Sequence, residues 1–200
     1  MKTQLLDLME QRRTIYALGD NVSQTPDEIS SVIEGAVKQS PTSFNNQSIR
    51  AAVLFGKNSD KVWDIVEKRL ESEVPNADAY KKTQEKIASF RAGFGTVLYF
   101  IDTNVIAQNE KDFALYADNF RVWAEQGLGG AQQSVWTALA ENGIGASLQH
   151  YNPLIDVEIR NAFNIPENWE LRAQMPFGSI EAVAGDKDFM SDDDRFLVIK

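Results

Sequence analysis

Cysteine is absent from the 200 residues of this chain. That excludes disulfides, thiolate metal sites, iron–sulfur clusters and a cysteine nucleophile. Histidine occurs once, at His150, which argues against a histidine-based metal site and a Ser-His-Asp triad. Positive charge is in short supply. Lys and Arg total 20 against 29 Asp and Glu, a net charge of −9, and no long basic run occurs. A nucleic acid or an anionic membrane surface is therefore not expected as the main partner. No apolar run approaches the length that spans a bilayer. The first dozen residues carry charged and polar groups with no apolar core of a signal peptide, so a cytoplasmic protein is the expectation. Also missing are a phosphate-loop lysine motif, a G-x-G-x-x-G turn after a strand and a paired-carboxylate signature.

What remains is an ordinary globular composition, 43% hydrophobic and 24% charged. The chain shows no internal repeat, low-complexity segment or linker. Residues 3–13 read as a helix with Leu5, Leu6 and Met9 on one face, so its end is expected to be anchored by packing. Thr25-Pro26-Asp27-Glu28 is a helix start, with Thr as N-cap, Pro at the first position and Glu three residues after the cap. The helix it opens runs to about residue 39. Residues 40–47 are a loop by composition. Residues 51–55 and 96–101 are strand candidates apolar on both faces, which predicts a central sheet covered by helices. Residues 59–73 and 77–92 read as two charged amphipathic helices. Residues 113–125 and 129–141 read as two more, separated by Gly127-Leu128-Gly129-Gly130, a hinge or a close helix approach. A short helix is expected over 153–163. Residues 170–177 alternate polar and apolar, as in a strand with one solvated or partner-facing side. Residues 195–199 read as a last short strand or an extended tail. The fold class is α+β, several long helices around a small mixed sheet.

The first candidate site is Gln11-Arg12-Arg13-Thr14-Ile15-Tyr16. Two rigid guanidinium forks at a helix end suit a bound phosphate. The same pair also suits a solvated helix end, where arginine complements the macrodipole. No nucleophile–base pair stands out elsewhere. Polar loops with scattered cations suit a cofactor site in which the cofactor does the chemistry.

Four blocks carry a resemblance. They are Arg12-Arg13-Thr14-Ile15-Tyr16, the run from Ser40-Pro41-Thr42-Ser43 through Phe44-Asn45-Asn46-Gln47-Ser48, Tyr116-Ala117-Asp118-Asn119-Phe120 with Trp123, and Gly143-Ile144-Gly145-Ala146-Ser147-Leu148-Gln149-His150-Tyr151-Asn152-Pro153. In order and spacing the chain resembles the FMN-dependent nitroreductase family, and within it the fatty-acid-repression-type and copper-induced members. The resemblance implies a three-layer α+β fold with a small, mixed, mostly antiparallel sheet, one FMN-binding domain over residues 1–200, and a homodimer with FMN at the interface. It implies that Arg12 and Thr14 hold the FMN phosphate and ribityl chain, with Arg13 nearby. Lys187, and less centrally Arg195, would complete the phosphate cluster. Pro41, Thr42, Ser43, Asn45 and Gln47 would come from the other subunit. Ala146, Ser147, Leu148, Gln149 and His150 would lie along the isoalloxazine. Many members carry a second cation two residues after the lysine, where this chain has Phe189. The implied activity is ping-pong reduction of nitroaromatics or quinones by NADH or NADPH. A flavin-binding regulatory protein on the same fold is the alternative, and a generic α+β structural protein is a third.

Each candidate has a plainer reading. The 40–48 stretch would serve as a Ser/Asn/Pro connector. His150 would be a packed or surface residue whose backbone amide matters more than its ring. Trp123, Trp136 and the Phe113/Tyr116/Phe120 stripe suit core or dimer packing before substrate stacking. Lys187 lies among Asp186, Asp188 and Asp192, Asp193 and Asp194, as in a solvated charged turn.

Overall fold

The computed structural model describes residues 3–200. Helix α1 (Gln4–Gln11) leads through the two-residue strand β1 (Leu18–Gly19) to α2 (Pro26–Gln39). The expected cap is present: the Glu28 amide donates to Thr25 Oγ1 (3.3 Å) and the Thr25 amide to Glu28 Oε2 (2.8 Å). Strand β2 (Ile49–Phe55), helices α3 (Lys57–Leu70) and α4 (Ala77–Arg91), and strand β3 (Gly95–Asp102) follow. Next come α5 (Thr103–Asp112), a 3-10 segment (Ala114–Asn119), the long helix α6 (Phe120–Glu141) and the short strand β4 (Gly145–Ala146). Helix α7 (Asp156–Phe163) and strand β5 (Trp169–Ile180) complete the body. No helix among the described residues is long and apolar enough to cross a membrane.

The sheet runs β2, β3, β5, and β5 carries both β1 and β4 on its far edge. Every ladder is antiparallel. The mixed character comes from one isolated parallel bridge, Thr14 to Ala146, where the Ile15 amide donates to the Ala146 carbonyl at 2.9 Å. Central β3 is buried along its whole length. Its alternate residues serve two cores, as the pleat requires. Val97, Tyr99 and Ile101 pack with α2 and α6; Leu98 and Phe100 pack with α3, α4 and α7. A bulge opposite Tyr99 and Phe100 lets β5 send Leu171 to one core and Ala173, Met175 and Phe177 to the other. The result is helices, sheet, helices in three layers.

Three expectations change, and one helix is added. The two helices expected over 113–141 are one helix from Phe120, preceded by the 3-10 segment. Phe120, Ala124, Leu128, Ala131, Val135 and Leu139 form an unbroken buried stripe. Its packing outweighs the cost of about 1 kcal/mol that each glycine imposes on a helix, so 127–130 is no hinge. Helix α5 carries almost no sequence signal, because only Ile106 is fully buried on it; Asp102 starts it by accepting from the Asn104 and Val105 amides. From Ala173 to Gly178 strand β5 has no solvated face, because Gln174 and Pro176 are covered as completely as their neighbours. Of the two readings of residues 195–199, the extended tail holds and the strand does not: a single turn, Asp192–Arg195, precedes an exposed stretch. Finally, α1 has no buried residue. Leu5, Leu6 and Met9 point outward, 42–61% exposed, because α1 lies on the outside of α6.

Candidate functional site

Helix α1 is held at its end instead. Gln11 Nε2 donates to the Ala140 carbonyl (3.1 Å), and the Arg12 amide closes the last turn on the Leu8 carbonyl (2.9 Å). The Arg12 guanidinium lies over the Trp136 ring, 4.5 Å from its centroid, a cation–π contact strengthened by partial burial. Burial, and then the charge of Arg13, hold the Arg12 pKa below the usual arginine value. Arg12 Nε is buried without a hydrogen-bond acceptor. Arg13 donates to the Gly185 carbonyl at 2.6 Å, which ties the C-terminal segment to this corner. Lys187 arrives by that route. Arg12, Arg13 and Lys187 line one cavity of about 560 Å³ together with Gln133, Glu10 and Asp186. None of the three cations forms an ion pair among the described residues. Three cations sharing a cavity, one with an orphaned buried donor, make a good receptor for a dianion. Arg195 is not part of this cavity; it is exposed, and its guanidinium lies 5.6 Å from the Phe196 ring centroid.

Thr14 and Ala146 meet at the parallel bridge, so the start of the 146–150 stretch runs beside the cation corner. The backbone here is extended, and its amides alternate in direction. Ser147 donates to the Pro176 carbonyl (3.2 Å) and Gln149 to the Gln174 carbonyl (2.7 Å). Their side chains are buried and joined by a hydrogen bond from Gln149 Nε2 to Ser147 Oγ (3.1 Å). The Leu148 and His150 amides make no backbone hydrogen bond among the described residues. The His150 side chain is exposed.

The 41–47 loop sits elsewhere on α6. The Gln47 amide donates to Thr42 Oγ1 (3.0 Å), and the Ser48 amide to Asn46 Oδ1 (3.1 Å). Pro41, Thr42, Ser43 and Phe44 line a second cavity, about 430 Å³, with Trp123, Gln126 and Gly127. Gly127 allows the close approach of that loop: a Cβ would lie 3.3 Å from the Pro41 carbonyl oxygen, a tight contact. Gln126 of this cavity and Gln133 of the cation cavity are two helical turns apart, about 10 Å along one face of α6. Asn45 and Gln47 line neither cavity.

Helical spacing assigns Trp136 to core or dimer packing and says nothing of Gln133. Neither carries a local signal, because their meaning depends on α1 crossing α6 at that point.

The sequence pattern of the Nitroreductase family matches residues 9–179. HBN1 of Saccharomyces cerevisiae is 38% identical over 191 residues, 94% of either chain. Nitroreductase CinD from Lactococcus lactis, solved with nicotinic acid, is 50% identical with a TM-score of 0.92, covering 98% of this chain and all of its own. CinD has also been solved with 4-nitrophenol (49% identity, TM-score 0.90, the same coverage). A nitroreductase with bound FMN from Desulfitobacterium hafniense shares the fold at 16% identity, with a TM-score of 0.72 and full coverage of both chains.

Proposed function

This chain belongs to the nitroreductase family and is an oxidoreductase, and we propose that it uses FMN and NAD(P)H, works as a homodimer and reduces nitroaromatics or quinones. The observation that carries the reading is the cation corner: Arg12, Arg13 and Lys187 around one cavity, without ion pairs among the described residues and with Arg12 Nε unpartnered. That arrangement fits the FMN phosphate, and the FMN-bound relative of the same fold supports it. Arg12 and Lys187 grip the phosphate, Arg13 fixes the C-terminal segment beside it, and Thr14 faces the ribityl chain. Arg195, outside the cavity, has at most an outer role.

The Leu148 and His150 amides, without a backbone hydrogen bond among the described residues, are the donors available along the ring. Ser147 and Gln149 shape the backbone there without offering their side chains. When bound, FMN supplies the chemistry, taking a hydride from NAD(P)H and giving electrons to an acceptor in the same pocket, a ping-pong scheme. No protein acid or base is required. The structures of CinD with 4-nitrophenol and nicotinic acid support a small aromatic acceptor.

Two features support the homodimer. Pro41, Thr42, Ser43, Asn45 and Gln47 lie away from the cation corner of their own chain, which suits contact with a second subunit's cofactor. Apolar residues are exposed along α1 and in the C-terminal stretch, Leu197 at 86% and Ile199 at 85% among them, and such surfaces mark interfaces. A cytoplasmic location fits the cysteine-free composition.

The test is the visible spectrum of the purified protein before and after anaerobic NADH or NADPH. Bound-flavin bands that bleach are expected. Bands that persist with both nucleotides would favour the regulatory alternative, and a colourless protein that does not take up FMN would overturn the reading.

A further inference from the structure

Phe44 occupies a backbone conformation that phenylalanine rarely adopts. Its φ is +53°, and Asn45 (+51°) and Gln47 (+50°) share the left-handed region, so three of four successive residues do so and none is glycine. Asparagine tolerates that region; a bulky aromatic does not. Strain of this kind persists only where surrounding contacts hold it, and it concentrates at binding sites. Here the loop is pinned from both sides by Thr42 and Asn46, and by the Asn45 amide on the Thr42 carbonyl (3.0 Å).

The strain delivers a ring to a wall of rings. Phe44 lies 4.6 Å from Phe113, 5.7 Å from Phe120, and 6.2 Å from both Tyr116 and Trp123, measured between centroids. Only Phe120 of this group is fully buried. Phe44 is 55% exposed, Tyr116 43% and Phe113 40%. A hydrophobic cluster serving only the core would be covered, whereas this one keeps its outer surface open beside the 430 Å³ cavity. That volume suits a small organic molecule. No charged side chain lines the cavity, so a charged guest would lose hydration without a counter-charge. Aromatic rings, by contrast, favour offset or edge contact with another ring.

We propose that Phe44 is a specificity-determining residue, the exposed front of an aromatic wall with Phe113, Tyr116 and Trp123 that selects flat, uncharged electron acceptors of one or two rings. The inference rests on the oxidoreductase reading above and deepens it. Because Phe44 is mostly exposed, its replacement removes a contact surface without opening the core.

The test compares wild type with Phe44→Leu and Phe44→Tyr, using 1,4-naphthoquinone and the non-aromatic acceptor ferricyanide. In Phe44→Leu, kcat/KM for naphthoquinone relative to ferricyanide is expected to fall about three- to tenfold, the scale of one lost aromatic contact. Phe44→Tyr is expected to restore the ratio. Calorimetric titration of naphthoquinone into the oxidised protein should show the same loss of affinity. An unchanged ratio and unchanged affinity in a folded Phe44→Leu protein would overturn the proposal. So would a shift of the subunit equilibrium with affinity unchanged, because the wall would then be a subunit contact. If neither nucleotide bleaches the wild-type flavin, the oxidoreductase reading fails, and the titration alone decides the fate of the wall.

Discussion

Arg12 and Trp136 act as a unit. The ring fixes a guanidinium that would otherwise sample many rotamers, and partial burial reduces competing water, which leaves the charge available to the phosphate proposed for this corner. Arg12→Ala is expected to weaken FMN binding by about 1.5–3 kcal/mol, the worth of a charge-assisted contact, read by fluorescence titration of the apoprotein. Trp136→Leu should weaken it by roughly 1–2 kcal/mol through loss of the stack, and Trp136→Phe should recover most of that. Equal FMN affinity in all three variants would remove the phosphate from this corner. His150→Ala, by contrast, should leave FMN bound and change turnover modestly, since the imidazole is exposed and, in the proposed reading, the backbone rather than the ring of His150 meets the flavin.

Among the elements, α2 shows how local rules succeed. Its capping box joins Thr25 and Glu28 in both directions. Thr25→Ala is expected to cost about 1 kcal/mol of stability, measured by denaturant unfolding. Hydrogen bonds from the Thr25 amide first, and from its hydroxyl second, hold the Glu28 carboxyl below its ordinary value of 4.5. A depressed folded pKa means a contribution fully present above that ordinary value and lost as pH falls through the lower, folded one. The acid limb of the stability curve should therefore be shallower in Glu28→Gln than in wild type. Helix α6 shows where local rules fail. Four residues with three glycines allow a hinge, yet the stripe from Phe120 to Leu139 is buried throughout, and contacts with α2 and the sheet decide the matter. Helix α5 fails in the opposite sense: with a single buried residue it has almost no periodic signal, and its start depends on a buried Asp102 that also receives Arg50 (2.8 Å) and Asn168 (2.8 Å).

For the whole molecule, exposed apolar surface gathers on α1 and beyond Asp192, while β2 pairs only with β3 among the described strands. Removal of residues 196–200 is expected to shift the proposed dimer toward monomer, checked by sedimentation, and to lower FMN retention with it. A truncated protein that stays dimeric would place the interface elsewhere. The sequence by itself determined the α+β class, the three long strands, the capped α2 and the exclusion of cysteine and metal-cluster chemistry. It also singled out the Arg12–Arg13 pair and marked 40–47 as a loop, because residue types and spacing a few positions apart set those energies, whereas a cofactor role for 41–47 came only from the family resemblance. Only the tertiary structure decided that α6 is continuous, that Ser147 and Gln149 turn inward, and that Trp136 lies beneath Arg12. It alone brought the segment bearing Lys187 to Arg13, through a hydrogen bond between residues 172 apart in the chain. Contacts of that kind depend on how helices cross and strands register, and no window of local sequence contains both partners.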